Sequence, residues 1–308
     1  MSTHSEDSPN DSILSANQPK DGIMEVYADN FVSEIKKLSD LLETYNYIGM
    51  DTEFPGTVYN LSNYTKDFYY KTIKINVDSL KLIQVGITLS NSKGEKPEGI
   101  HTWQFNLKFD FKTDICCSSS FSLLWNCGLD FKKIQTDGIP HDLFAEYLTT
   151  SGLVLNEDLT WIAYHGPYDF AYLLKSLTNK PLPEEESEFS EEVALYFPNI
   201  YDIKVLTKGN SSLQGGLNRL AHYLDVIRKG MTHQAGSDSI LTIDVFVKLV
   251  EESYVEQDML SQSKNVIFGI GVGSDESETI MYTKFCNLTY DYMSNQGNIP
   301  YPLVMQTN

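Results

Sequence analysis

The chain has 308 residues, enough for one large α/β domain or two small ones, and 41% hydrophobic residues with 12% aromatics mark a globular protein with a substantial core. A formal net charge of −19, from 23 basic against 42 acidic residues, argues against a protein that holds nucleic acid by its own field, since such proteins carry a basic stripe. No apolar run approaches the roughly 20 residues that cross a bilayer, so no membrane association is expected.

Residues 1–23 are polar and acidic, with neither the basic nor the apolar region of a secretory signal, and read as a disordered leader. Residues 24–44 carry Phe31, Ile35, Leu38 and Leu42 at helical spacing, which predicts a helix ahead of the first strand. In "YIGMDTEFPG", residues 47–56, Ile48, Met50, Thr52 and Phe54 alternate with Gly49, Asp51 and Glu53, a strand with both acids on one face. Residues 57–79 read as a loop and a helix. "SLKLIQVGITLS" and "IHTWQFNLKFD" add two strands and predict an antiparallel meander with the first. From about residue 118 the pattern is helical. "LTWIAYH" is then a strand that runs directly into the amphipathic "GPYDFAYLLKSLT".

The glutamates between Glu184 and Glu192 read as a solvated helix face or linker, "NIYDIKVL" as a short strand, and "LQGGLNRLAHYL" and "SDSILTIDVFVKLVEE" as the last core helices. Beyond residue 260 the composition turns to Ser, Gly and Asn, so 261–308 reads as a weakly ordered tail. No composition break divides 24–260, which predicts a single domain. Cys116, Cys117, Cys127 and Cys286 show no CxxC pairing and no histidine at zinc spacing, so no zinc site is expected and the thiols fit a reducing intracellular compartment.

Two like charges side by side on a buried strand repel and lose hydration, so Asp51 and Glu53 need a positive partner. Two further acids stand where burial is expected. Asp169 lies in the first turn of the helix that follows a strand, and Asp238 shares a core-facing stripe with Leu241, Val245 and Leu249. Asp244 falls on another face and reads as surface. If these segments converge, four carboxylates repel strongly unless hard cations bind, and an all-oxygen set favours two Mg²⁺ or Mn²⁺ ions roughly 3.5–4 Å apart. Such a pair serves phosphodiester hydrolysis. The remaining need is a proton acceptor, a task suited to histidine, and His233 in "HQAGSDS" is the candidate. Taken singly, Asp169 reads as a helix cap or dipole partner, Asp238 as a cap, and both His233 and His165 as ordinary histidines. Order and spacing together carry the signal.

The ordered set Asp51, Glu53, Asp169, His233 and Asp238 resembles the DEDD exonuclease superfamily in its histidine subtype, which implies an RNase H-like α/β fold with a central mixed β-sheet flanked by helices. More narrowly, "YNYIGMDTEFPG", "NVDSLKLIQVGITL", "WQFNLKF", "EYLTTSG", "YDFAYLLKSLTN", "FPNIYDIK" and "HQAGSDSILT" resemble the CAF/Pop deadenylase subunits of the CCR–NOT complex, over about Met24 to Leu260. That resemblance implies a 3′→5′ exoribonuclease of the cytoplasm and nucleus that shortens poly(A) tails of messenger RNA and releases 5′-AMP. Asp51, Glu53, Asp169 and Asp238 would be ligands of two divalent metal ions, Mg²⁺ or Mn²⁺, and His233 the general base. A NOT-type scaffold and a CCR-type second deadenylase would be partners, in keeping with a chain too acidic to attract RNA by itself.

The chain departs from the family's pattern at "YHGPYDF", where Pro167 could alter the helix entry, and residues 57–71 match poorly. Phe54 is a candidate for stacking a terminal base, although its parity with Met50 assigns it to the core. Alternative readings are a recruitment module with an idle site, and an exonuclease on other RNA 3′ ends or on DNA.

Overall fold

Alternation at the acid-bearing segment is realised as β2 (Tyr47–Glu53) near the middle of the sheet. The computed structural model describes residues 19–61 and 68–271. Most of the expected leader and tail, and Cys286, lie outside the described residues. Among the described residues a single mixed sheet of six strands runs in the order β1-β4-β3-β2-β5-β6. The others are β1 (Ile23–Val26), β3 (Gln84–Ser90), β4 (Thr102–Asn106), β5 (Thr160–Ala163) and β6 (Ile200–Asp202). The meander β2–β3–β4 is antiparallel as expected, while β5 joins β2, β6 joins β5 and β1 joins β4 in parallel.

Helices cover both faces. They are α1 (Phe31–Ser39), α2 (Phe68–Ser79), α3 (Ser118–Asn126), α4 (Phe131–Asp137), α5 (His141–Thr150), α6 (Pro167–Thr178), α7 (Glu186–Tyr196), α8 (Ile203–Leu206), α9 (Leu217–Tyr223), α10 (Ala235–Glu251) and α11 (Gln257–Gln262). Even-numbered residues of β2, Ile48 and Met50, pack with Phe31, Ile35 and Leu38 of α1 and Phe170, Leu173 and Leu174 of α6. Across the sheet, Ile162 of β5 packs with Leu241, Val245 and Leu249 of α10 and Leu220 of α9. Each fully buried aliphatic contributes about 1.5–3 kcal/mol, so both helical layers are fixed by the apolar periodicity of their own sequences.

Under α10 the sheet carries glycines. A β-carbon on Gly86 would lie 1.9 Å from the Ala235 carbonyl oxygen, and one on Gly49 would lie 2.5 Å from that of Ser239. Only glycine permits this approach of helix to strand.

Three expectations change. The helix expected over 24–44 is shorter, because Ile23–Val26 forms an edge strand on β4 in the register Ile23↔Thr102, and helix begins only at Phe31. Pairing with a distant strand outweighs local periodicity there. Pro167 does not disturb its helix but occupies the first helical position, where the missing N–H has no partner to lose. Finally, packing does not stop at Leu260. Ile267 and Ile270 are buried in the larger core, and Asn265 accepts a hydrogen bond from the Ile200 N–H at 2.9 Å. The boundary of the ordered unit therefore lies past 260, since two aliphatics in this segment have core to cover.

Candidate active site

Parallel β2 and β5 run the same way, but β2 continues beyond their last shared pair, Gly49↔Ile162, and this extension carries Asp51 and Glu53 into the site. Parity puts Asp51 and Glu53 on the α10 side of the sheet, opposite Gly86 and Gln84 of β3. Because Gly86 lets α10 settle onto the backbone, its first turn brings Asp238 beside them. Ligand atoms of Glu53, His233 and Asp238 lie within 4.8 Å of one another. Asp169 arrives differently. Its helix, α6, packs on the opposite face and starts just beyond the end of β5, so the carboxylate meets the rim of the sheet. There the Thr52 hydroxyl, on the even face of β2, donates to Asp169 Oδ1 at 2.5 Å. All five residues expected at the site are thus gathered at one end of the sheet, although from both faces rather than from one.

Electrostatics at this end are strained. Burial, then Asp238, then Asp169, push the Asp51 and Glu53 carboxyls well above the usual range. Burial also pushes Asp169 up to about 7; the Thr52 hydrogen bond opposes this and the nearby charge of Asp202 adds to it. Asp238 is treated differently. Arg228 Nη1 lies 2.5 Å from its Oδ1, and its Oδ2 accepts the His233 backbone N–H at 3.0 Å. Arg228 is itself fixed by bonds to Asn218 and Ser237, each 2.8 Å long. Despite the ion pair, Asp238 Oδ1 is buried without a hydrogen bond of proper geometry. A buried, incompletely satisfied oxygen among carboxylates that resist ionisation fits a hard divalent cation. An all-acid cluster with a single imidazole at its edge offers the donor chemistry of Mg²⁺ or Mn²⁺.

His233 has φ 58°, which turns the loop just before α10. That loop is held by amides from the sheet. Gln104 accepts the Gly236 N–H at 2.8 Å and donates to the Gln234 side chain at 2.9 Å, and Gln234 donates to the Cys127 carbonyl at 2.8 Å. Phe54 stacks on Tyr168 and Tyr172 with ring centroids 5.1 and 5.0 Å away, joining the edge of the α6-side core. His165 contacts Tyr69 Oη at 3.2 Å and is held neutral, its pKa pushed down to about 3 by burial and then by Lys204, so it is no base. Asp244 pairs with Lys96 away from the site.

Sequence reasoning assigned no role to Thr52, Gln84, Gln104, Asp202 or Arg228. Signals existed for some: Gln84 is the one amide in the mainly apolar run "KLIQVGITL", and Arg228 is one of two arginines in the chain.

The CAF1 family ribonuclease model matches residues 26–151 and 152–246. The chain is 44% identical over 259 residues to the probable CCR4-associated factor 1 homolog 7 of Arabidopsis thaliana, covering 81% of this chain and 94% of that one. It is 42% identical over 252 residues to the poly(A) ribonuclease pop2 of Schizosaccharomyces pombe, covering 81% of this chain and 75% of pop2. Among solved structures, that of S. pombe Pop2p in its Mg²⁺- and Mn²⁺-bound form superposes with a TM-score of 0.78 at 42% identity, over 81% of this chain and 100% of that one. A structure of the yeast NOT1 MIF4G domain co-crystallized with CAF1 gives a TM-score of 0.69 at 32% identity, over 80% of this chain and 96% of that one. Sheet order, the sequence match and these superpositions agree on an RNase H-like fold, and the chain belongs to the CAF1 ribonuclease family.

Proposed function

We propose that this protein is a divalent-metal-dependent 3′→5′ exoribonuclease that shortens poly(A) tails by phosphodiester hydrolysis and releases 5′-AMP. The observation that carries the reading is the meeting of Asp51 and Glu53 from β2 with Asp238 and His233 at the start of α10 and Asp169 at the start of α6. Asp51, Glu53, Asp169 and Asp238 would hold two Mg²⁺ or Mn²⁺ ions, the metals named for the S. pombe Pop2p structure. Bound there, such a pair neutralises charge on the attacking and leaving oxygens of the phosphodiester. His233, beside Glu53 and Asp238, accepts the proton of the attacking water at its imidazole nitrogen and passes it to solvent. Arg228 orients Asp238, and Thr52 aims Asp169.

An RNase of this charge gains from partners that bring the substrate. A NOT-type scaffold fits that need, as the yeast relative was co-crystallized with the NOT1 MIF4G domain, and a CCR-type deadenylase is the expected second partner. The reading places the enzyme inside the cell, in cytoplasm and nucleus. Its three described cysteines are free thiols, and no helix among the described residues is long and apolar enough to cross a membrane. The test is a labelled RNA with a 3′ oligo(A) tract incubated with the full chain and Mn²⁺ or Mg²⁺. Stepwise shortening that stops at the non-A sequence is expected. Equal degradation of DNA overturns the substrate assignment, and no cleavage with either metal overturns the enzyme in favour of a recruitment module.

A further inference from the structure

Asp202, the last residue of β6, is fully buried, and its carboxylate accepts four backbone N–H groups. Oδ1 takes those of His165 and Lys204, each at 2.9 Å, and Oδ2 takes those of Gly166 at 3.0 Å and Phe268 at 3.1 Å. These donors come from three places: the turn that launches α6, the first turn of α8, and the segment beyond α11. Hydrogen bonds to an ionised acceptor are about twice as strong as neutral ones, so a buried carboxylate with four of them is a rigid junction. Rigidity is needed here. His165 sits at φ 64°, a left-handed conformation that is unfavourable for a non-glycine residue, and its own N–H is one of the four. Gly166, the residue before α6, has no capping side chain of its own. Asp169 follows three residues later.

We propose that Asp202 is a positioning residue for Asp169, fixing the turn from which α6 departs and tying the segment Asn265–Ile270 into the same unit. The proposal rests on the reading of Asp169 as a metal ligand. Asp202 makes no hydrogen bond to the cluster of acids; besides its charge on Asp169 it acts through the backbone it holds, the part that the Phe268 variants isolate. The His165 ring lies edge-on to Phe268 with centroids 5.2 Å apart, so the C-terminal segment bears on the turn twice, through its N–H on Asp202 and through this contact.

The test is calorimetric titration of the full chain with Mn²⁺ alone, beside thermal melting and kcat as a function of Mn²⁺ concentration. Asp202→Asn offers the turn an N–H where it needs an acceptor, and is expected to raise the Mn²⁺ dissociation constant about tenfold, the scale of losing an outer partner of a metal ligand. Excess Mn²⁺ should then restore most of kcat. Ile35→Val, a core change on α1 remote from the site, should lower the melting temperature with Mn²⁺ affinity unchanged. Phe268→Pro removes one of the four donors and Phe268→Ala keeps it, so Phe268→Pro alone should weaken Mn²⁺ binding, by about threefold. The proposal is overturned if Asp202→Asn binds Mn²⁺ as tightly as the wild type. Should that variant not fold, equal affinities of the two Phe268 variants overturn it instead. A wild-type chain that binds no Mn²⁺ sinks the ligand assignment itself, a result distinct from both.

Discussion

The first turns of α6 and α10 each bring an aspartate to the end of β2, from opposite faces of the sheet, and they are held by opposite chemistry. At α10 the clamp is neutral or positive: the Gln104 side-chain amide accepts the Gly236 N–H, and Arg228 sits on Asp238. At α6 the clamp is a buried anion, Asp202, and its charge adds to that of the ligand candidate it positions. One side of the pocket is therefore prepaired, and the other is left with surplus negative charge. Burial, with the charge of Asp202 added, pushes the Asp169 carboxyl up to about 7, and a cation entering the site would relieve that charge.

The largest effect expected treats both sides alike. Asp51→Ala or chelation of divalent ions should lower the deadenylation rate by about three orders of magnitude or more, measured on labelled oligo(A) RNA. Full activity in Asp51→Ala would remove Asp51 from the site. Next comes the contrast itself, read on stability without metal. Asp238→Asn strands Arg228 and should lower stability by about 3 kcal/mol, whereas Asp169→Asn removes a repelled charge and should leave stability equal or higher. Denaturant melts in a chelating buffer separate the two, and losses of the same sign and size would erase the asymmetry.

A smaller effect concerns the neutral clamp. Gln104→Leu leaves the Gly236 N–H unsatisfied and frees Gln234, at a cost of about 1–3 kcal/mol, with kcat reduced through the His233 loop. Unchanged kcat would reduce Gln104 to a scaffold role. The last contrast is the pH response. An acid whose pKa rises on folding favours the folded state while protonated. Asp169 thus contributes stability that is complete below about pH 4 and lost as pH rises through about 7, with Asp51 and Glu53 acting in the same direction. The metal-free melting temperature should fall by several degrees over that window, and saturating Mn²⁺ should cancel the fall. Thr52→Val, which deletes the bond favouring ionised Asp169, should move the window upward.

Much of this was legible in the sequence where the signal is periodic. The alternation in "YIGMDTE" placed both acids on one face, and the stripe from Asp238 through Leu249 placed the helix of Asp238 on the core, because period 2 and period 3.6 are local properties of a chain. Asp169 was found by its place after a strand, but not its approach from the far face, since parity on β2 says nothing of which layer a neighbouring helix joins. β1 escaped notice because four residues are too few to display a period and their partner strand lies about eighty residues on. Asp202 escaped for another reason. Three of its four partners are main-chain groups 36, 37 and 66 residues away, which no side-chain pattern announces.

Where α10 rests on Gly49 and Gly86, no side chain from the sheet intervenes between helix and strand. Separation at that seam is a matter of main-chain van der Waals radii, the least adjustable lengths in a protein. Drift among the aliphatics of either core can be absorbed by rotamer changes without altering the reach from Asp238 to β2, whereas a single methyl group at position 86 has nowhere to go. Thermal softening should therefore reach this seam last, and hydrogen exchange at the start of α10 should be among the slowest in the molecule.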